Sequence, residues 1–336
     1  MLSTDLCTLL GIKHPILSAG IGAAAGAELV AAVSNAGGCG VLGTAALPAK
    51  FVRQEIHRLR ETTNKPFGVN LVLPLIRRGQ FEVCLEERVP LVVLFWGDSP
   101  DYVRQAHQQG VKVIVQVGSV DEAKAAADAG VDAVMAQGHE AGGHVRGQTA
   151  LSVLIPAVVA AVGPLPVIAA GGVANGRGLL AALALGAQGA SLGTRFLAST
   201  EANACLAYKQ QVTQSTSEDT VYTQLFDVGW VAPHRVLRNA AYVRWDAAGR
   251  QEHGLRPDEN KIVGSMTSGA SRVEIPAYSA HLPGIDADAL LDDMALYAGQ
   301  TCSLISDIQP AGDIVRRIID EADAALAGLN RLHTDA

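Results

Sequence analysis

The stretch Ala133 to Gln148, "AVMAQGHEAGGHVRGQ", places two histidines, a glutamate and paired glycines at the end of an apolar run. Three chemistries compete for it. "HEAGGH", from His139 to His144, approximates the H-E-x-x-H pattern by which two helical histidines grip zinc. That grip needs i, i+4 spacing, about 40° apart around a helix; the i, i+5 spacing here is about 140°. Gly142 and Gly143 also disfavour a continuous helix at that point. No cluster elsewhere offers a third ligand, so no metal is expected. The second reading is a loop histidine bonded to backbone. The third is a rim loop whose glycines, Gly138 and Gly142 among them, hug a ligand and deliver His144 to it. An imidazole with its ordinary pKa of about 6.5 has both protonation states accessible near neutrality, which suits acid–base work on a carbon-bound proton. His139 reads as structural or exposed.

A second constellation is "IAAGGVANGRG" (168–178) with "SLGTRF" (191–196). Each follows an apolar run and presents glycine amides at a helix entrance, where unpaired N–H groups and the helix dipole favour an anion. Gly171, Gly172, Gly193 and the Thr194 hydroxyl are therefore candidates for a phosphate cradle. "GIGAAAG" (20–26) has one residue too many for the dinucleotide fingerprint, and the run after it ends in "GTAALP" without the acidic ribose partner. Gly20 serves better as a flat wall against a planar ring. Asn70 and Gln116, each at a run's end, carry amides suited to the pyrimidine edge of a flavin. A planar ring with a phosphate points to FMN, and redox chemistry would need such a cofactor because no side-chain set here accepts electrons.

These residues need a frame to hold them. Eight apolar runs, at 15–21, 39–44, 67–73, 91–97, 112–118, 133–138, 166–172 and 189–194, alternate with helical segments such as "SVDEAKAAADAGVD". Continuous rather than alternating apolar runs are what strands covered on both faces require. The repeat predicts a (β/α)8 TIM barrel over residues 1–200, with the glycine-rich run ends forming its catalytic rim. From about 200 the rhythm changes, and residues 201–305 read as a smaller, mostly helical subdomain inserted after the eighth strand. "DIVRRIIDEADAALAGL" (313–329) puts Ile314, Val315, Ile318, Ile319, Ala322 and Leu326 on one face, a closing helix of the barrel within 306–330.

Bulk composition agrees with that frame. Aromatics make up 4% and charged residues 18% of the 336 residues, and the net charge is −7. With no basic block, nucleic acid and anionic membranes lack electrostatic support as partners. Five scattered cysteines without a C-x-x-C pair suit a reducing cytosol better than a disulfide framework. The N-terminus lacks a basic region followed by a long apolar one, so no signal peptide is expected and the location reads as cytoplasmic. The apolar stretch 149–172 is interrupted by Pro156, Pro164 and Pro166 and reads as helix, turn and buried strand rather than a membrane span.

Taken together, "PFGVNL", "QGHEAGGH", "IAAGGVANGRG", "LGTRFLAS" and "MALYAGQ" (294–300) resemble the nitronate monooxygenase family, formerly called 2-nitropropane dioxygenases, over nearly the whole chain. The resemblance implies an FMN-dependent barrel that oxidises an alkyl nitronate with O2 to a carbonyl compound and nitrite, without nicotinamide. It implies His144 as catalytic base, and Gly171, Gly172, Gly193 and Thr194 at the FMN phosphate. Gly20, Asn70, Gln116 and Gly138 would line the ring and ribityl chain. Tyr297, Ala298, Gly299 and Gln300 would approach the pocket from the smaller domain. FMN enoyl and quinone reductases that use NAD(P)H share the fold and nearly the same loop, although the enoyl reductases more often carry serine where Ala141 stands. A non-catalytic flavin-binding barrel is a third class. "GGHVRG" departs from the commoner G-G-H-x-G by one residue. The physiological substrate stays open, as does a homodimer.

Overall fold

The computed structural model describes residues 2–97, 99–268 and 271–334. Eight parallel strands form one sheet: β1 (Ile16–Ser18), β2 (Gly40–Gly43), β3 (Phe67–Val72), β4 (Leu91–Phe95), β5 (Lys112–Val117), β6 (Ala133–Gln137), β8 (Val167–Ala170) and β9 (Gly189–Leu192). The missing number, β7 (Gly143–His144), is a two-residue strand in the loop after β6. The sheet order is β1-β9-β8-β6-β5-β4-β3-β2, and a parallel bridge between Leu17 and Cys39 closes it into a barrel. Every predicted run contains one of these strands. Each strand is shorter than its run because the run's last residues leave the ladder to line the rim.

Helices alternate with the strands around the outside: α2 (Ala27–Asn35), α3 (Ala49–Thr62), α4 (Gln80–Glu86), α5 (Pro100–Gln108), α6 (Val120–Asp128), α7 (Leu151–Val162) and α8 (Gly176–Ala184). The apolar stretch 149–172 divides into α7 and β8 as expected, with Pro156 accommodated inside the helix. Among the described residues no helix is long and apolar enough to cross a membrane. The first helix, α1 (Asp5–Leu10), plugs the barrel's N-terminal end. Its Leu6, Cys7 and Leu10 join Leu17, Val41, Val93, Ile114, Met135 and Ile168 in one buried cluster. With that end filled by side chains, only the C-terminal end remains to hold a ligand.

The last helix, α12 (Ala311–Thr334), buries Ile314, Val315, Ile318, Ile319 and Ala322 against the barrel, while Leu326 is half-buried. It lies so close to α8 that a Cβ on Gly176 would sit 2.3 Å from the Ala322 nitrogen. Glu321 accepts a hydrogen bond from the Gly176 N–H at 2.9 Å, which ties the closing helix to the start of α8.

The expectation of a mostly helical 201–305 needs correction. Besides α10 (Leu206–Gln214) and α11 (Ala240–Ala247), this segment carries β10 (Thr220–Thr223), β11 (His234–Leu237), β12 (Ile262–Ser268), β13 (Ser271–Pro276) and β14 (Asp288–Ala289). They form two small antiparallel sheets, β10-β11-β7 and β13-β12-β14. The physical reason is tertiary. β11 finds its second edge in the loop that carries His144, and neither fragment's sequence displays that pairing.

Candidate active site

A cavity of about 650 Å³ opens at the C-terminal end of the barrel, lined by residues from the strand ends and from the accessory segment. Pockets of a few hundred to about 1,000 Å³ are the usual size for a cofactor or small substrate. It gathers Gly20, Asn70, Gln116, Gly142, His144, Gly171, Gly193, Thr194 and Tyr297 from seven separate places in the sequence. Gly138, Gly172, Gly299 and Gln300, also predicted, do not line it. Gly138 and Gly172 turn toward Glu140 and Leu151. Gly299 packs on Gly142, and the exposed Gln300 uses its backbone N–H to reach the Glu140 carbonyl at 3.0 Å.

The glycine loop is fixed by backbone contact. A Cβ on Gly142 would lie 2.3 Å from the Gly299 nitrogen and 2.5 Å from the Ala298 carbonyl carbon. Only glycine permits two main chains to cross so closely. The same crossing brings the Gly299 N–H to the Thr194 hydroxyl oxygen at 3.0 Å. That hydroxyl keeps its own hydrogen for the cavity. Beyond the glycines, β7 pairs with β11 so that His144 stands opposite His234. His144 is therefore held by a ladder and not by a free loop.

His139 and Glu140 have other duties. His139 Nδ1 lies 3.2 Å from the Gly147 carbonyl, and the ring packs edge-on against Tyr222. Glu140 accepts the Leu151 N–H at the start of α7, an N-terminal position where a carboxylate is favoured. The two histidines of the motif thus go to different environments. The extra residue in "GGHVRG" is absorbed locally. Val145 is buried, Arg146 swings out to Glu122 at 2.7 Å, and Gly147 packs on Gly118 with room for no side chain.

Aromatic rings wall in His144. Its ring lies 4.0 Å from Trp230, 5.4 Å from Tyr297 and 5.5 Å from His234, between centroids. Its Nε2 is buried without a hydrogen-bond partner among the described residues. Burial first, and the neighbouring His234 second, push its pKa down to about 3. This corrects the expectation that both protonation states are accessible near neutrality: in the folded protein the imidazole is neutral. His234 is buried too, with its Nδ1 2.9 Å from the Ala232 carbonyl and its pKa lowered to about 4 by burial.

A stability prediction follows with a definite sign. Unfolded histidines take up protons near pH 6.5, whereas folded His144 and His234 refuse them until about 3 and 4. The unfolded state therefore binds more protons between those limits, and stability falls as pH drops from 6.5 toward 4. Urea midpoints at pH 7 and pH 5 check this. The His144→Gln variant should lose less stability over that interval than the parent, and an equal loss would contradict the assignment.

Three of the four phosphate candidates, Gly171, Gly193 and Thr194, line the cavity, and Gly172 does not. Gly171 and Gly193 both reach the cavity, and neither N–H donates to the backbone of another described residue. Gly171 has φ +80°, and a Cβ there would lie 2.5 Å from the Ala141 Cβ. Arg195, the next residue after Thr194, does not serve this group. It is buried against Asp307 at 2.8 Å and the Ala198 carbonyl at 2.7 Å. On the other side, the Asn70 side-chain amide donates to the Val93 carbonyl at 3.2 Å.

Among the lining residues that the sequence left unmarked, four bear directly on the site. Gln137, at the end of β6, donates from Nε2 to the His144 carbonyl at 3.0 Å and leaves Oε1 buried without a partner. The Ser191 hydroxyl is likewise buried and unpartnered. A strand-end amide one residue before "GHE" was a signal for Gln137, of the kind that identified Gln116. Trp230 and His281 come from the accessory segment, where no periodicity marked them. The five cysteines are free, and burial pushes the Cys39 and Cys84 thiols up to about 12.

Comparison with known proteins places this geometry among relatives. A family model described as nitronate monooxygenase matches residues 3–80 and 75–321. A Mycobacterium tuberculosis protein named "(3aS,4S,5R,7aS)-5-hydroxy-7a-methyl-1-oxo-octahydro-1H-indene-4-carboxyl-CoA dehydrogenase" is 37% identical over 252 residues, 74% of this chain and 70% of that one. Among solved structures, FabK from Thermotoga maritima is 34% identical with a TM-score of 0.82, covering 99% of this chain and 100% of its own. Nitroalkane oxidase from Streptomyces ansochromogenes is 28% identical with a TM-score of 0.77, covering 97% and 100%.

Proposed function

The chain belongs to the nitronate monooxygenase family and is an oxidoreductase, and from that premise we propose that it binds FMN and oxidises alkyl nitronates with O2 to a carbonyl compound and nitrite. One observation carries the reading: a neutral, buried histidine faces a cavity whose unpartnered polar groups suit a flavin nucleotide. The Gln137 Oε1 and Ser191 hydroxyl need partners, and leaving such groups bare costs about 1–3 kcal/mol each. Gly171, Gly193 and Thr194 would hold the phosphate through amides and a hydroxyl. Asn70, Gln116 and Gln137 would meet the ring's polar edge. Electron acceptance, for which this chain has no side chain of its own, is what FMN supplies when bound.

The protein's part is to orient and to handle a proton. Trp230 and Tyr297 exclude water from His144, and the neutral imidazole is free to accept a proton from a nitroalkane carbon. An anionic nitronate beside it raises the imidazole's proton affinity, because an opposite charge nearby favours the protonated form. His144 then holds the anion through a charge-assisted hydrogen bond.

The test is direct. The purified protein should be yellow, and anaerobic propyl nitronate should bleach or redden it while NADH leaves it unchanged. A colourless protein that cannot be reconstituted with FMN would remove the cofactor. A second reading, an NAD(P)H-dependent FMN reductase, draws its support from the likeness to the enoyl reductase FabK, at 34% identity and a TM-score of 0.82. Rapid bleaching by NADH with no response to nitronates would select it.

A further inference from the structure

The cavity contains a second histidine that the chemistry above does not use. His281 lines it from the accessory segment, within "YSAHLPG", and among the described residues only Ser279 touches its ring nitrogens by hydrogen bond. The Ser279 hydroxyl lies 2.7 Å from His281 Nδ1, and the same oxygen accepts the His281 backbone N–H at 3.3 Å. Ser279 is buried, so its hydroxyl hydrogen needs an acceptor, and Nδ1 is the one at hand. Were Nδ1 to carry the proton instead, that hydroxyl hydrogen would be stranded in a dry site. The neutral ring therefore carries its hydrogen on Nε2, the nitrogen with no partner among the described residues. Burial lowers the His281 pKa, which keeps the ring in this neutral form.

The segment is held rigidly. The Tyr297 hydroxyl donates to the Ala280 carbonyl at 2.9 Å, and the Ala280 N–H donates to the Val228 carbonyl at 2.9 Å. The Tyr297 ring also packs 5.4 Å from that of His144. One tyrosine thus spans from the proposed base to the residue beside His281, setting the distance between two imidazoles in a single cavity. Preorganised donors of this kind select ligands, because a ligand without the matching acceptor leaves the donor unpaired.

We propose that His281, oriented by Ser279, is a specificity-determining residue that donates its Nε2–H to an acceptor oxygen of the substrate. The class recognised is a small molecule with an oxyanion or polarised oxygen, such as a nitronate. This rests on the reading of the cavity as the active site and not on O2 as the oxidant.

The test uses the flavin-loaded protein and three variants, His281→Ala, His281→Gln and Ser279→Ala. Steady-state turnover of propyl nitronate and a titration of the flavin spectrum with inorganic nitrite are both read. His281→Ala should raise KM and the nitrite Kd about tenfold, the value of one hydrogen bond to a charged acceptor, with a much smaller change in kcat. His281→Gln, which keeps an N–H donor near the Nε2 position, should recover most of that loss. Ser279→Ala, which frees the ring to place its hydrogen on Nδ1, should fall between them. The proposal is overturned if His281→Ala leaves both constants unchanged, or if the glutamine variant is no better than the alanine. A parent protein that ignores nitronates would sink the functional reading alone, because the nitrite titration still decides the role of His281.

Discussion

Replacing His144 with alanine should lower nitronate turnover between about a hundredfold and ten-thousandfold, the usual worth of a positioned acid or base. FMN should stay bound, because the residues assigned to the phosphate and the ring edge are elsewhere on the rim. The imidazole faces the cavity between Trp230 and Tyr297, with Nε2 free of any partner among the described residues. A purely structural histidine behaves differently. Its removal would lower stability and flavin content together and leave the residual enzyme's kcat near normal. Flavin stoichiometry measured beside kcat separates the two outcomes. Intact turnover with full flavin would remove His144 from the catalytic machinery.

Gly142→Ala should be among the most damaging single methyl groups in the rim. The new Cβ would fall 2.3 Å from the Gly299 nitrogen, and both partners are backbone, so no side chain can rotate away. Overpacking of this kind costs about 1–3 kcal/mol and sometimes more. Prying the two chains apart would also move Thr194, whose hydroxyl accepts the Gly299 N–H, and His144, two residues further on. We expect a fall in melting temperature of several degrees, loss of FMN and loss of activity together. Gly143→Ala is the informative control. Its φ is +76°, but nothing lies within 4 Å of the new methyl. It should cost only the left-handed strain of about 1–2 kcal/mol. Equal damage from both substitutions would show that strain and not crossing geometry governs the loop.

Much of this was legible in the chain. Eight continuous apolar runs imply strands covered on both faces, and all eight are barrel strands, each trimmed at its rim end. His144, Asn70, Gln116 and the glycines at 20, 142, 171 and 193 were found because strand-end amides and glycine turns are local signals. Gly138, Gly172 and Gly299 carried the same signal but lie outside the cavity lining, Gly138 and Gly172 beside Glu140 and Leu151, and Gly299 against the Gly142 main chain. A glycine that lets a ligand approach and one that lets another main chain approach look alike in sequence. Ser191, on β9 and the first residue of "SLGTRF", carries a strand hydroxyl that no local pattern singles out, whereas Trp230 and His281 were missed because each enters the cavity through contacts with distant segments. The accessory sheets were missed for the same reason, since β11 completes its pairing on the two-residue edge at Gly143 and His144.

By itself the sequence determined the barrel, its closing helix and the histidine at its mouth, because hydrophobic period, turn chemistry and short motifs are properties of neighbouring residues. Only the tertiary structure decided that this histidine is neutral, that a tyrosine links it to a second imidazole, and which glycines face the cavity. Burial, charge proximity and the crossing of two main chains arise between residues far apart in the chain, and they exist only once it has folded.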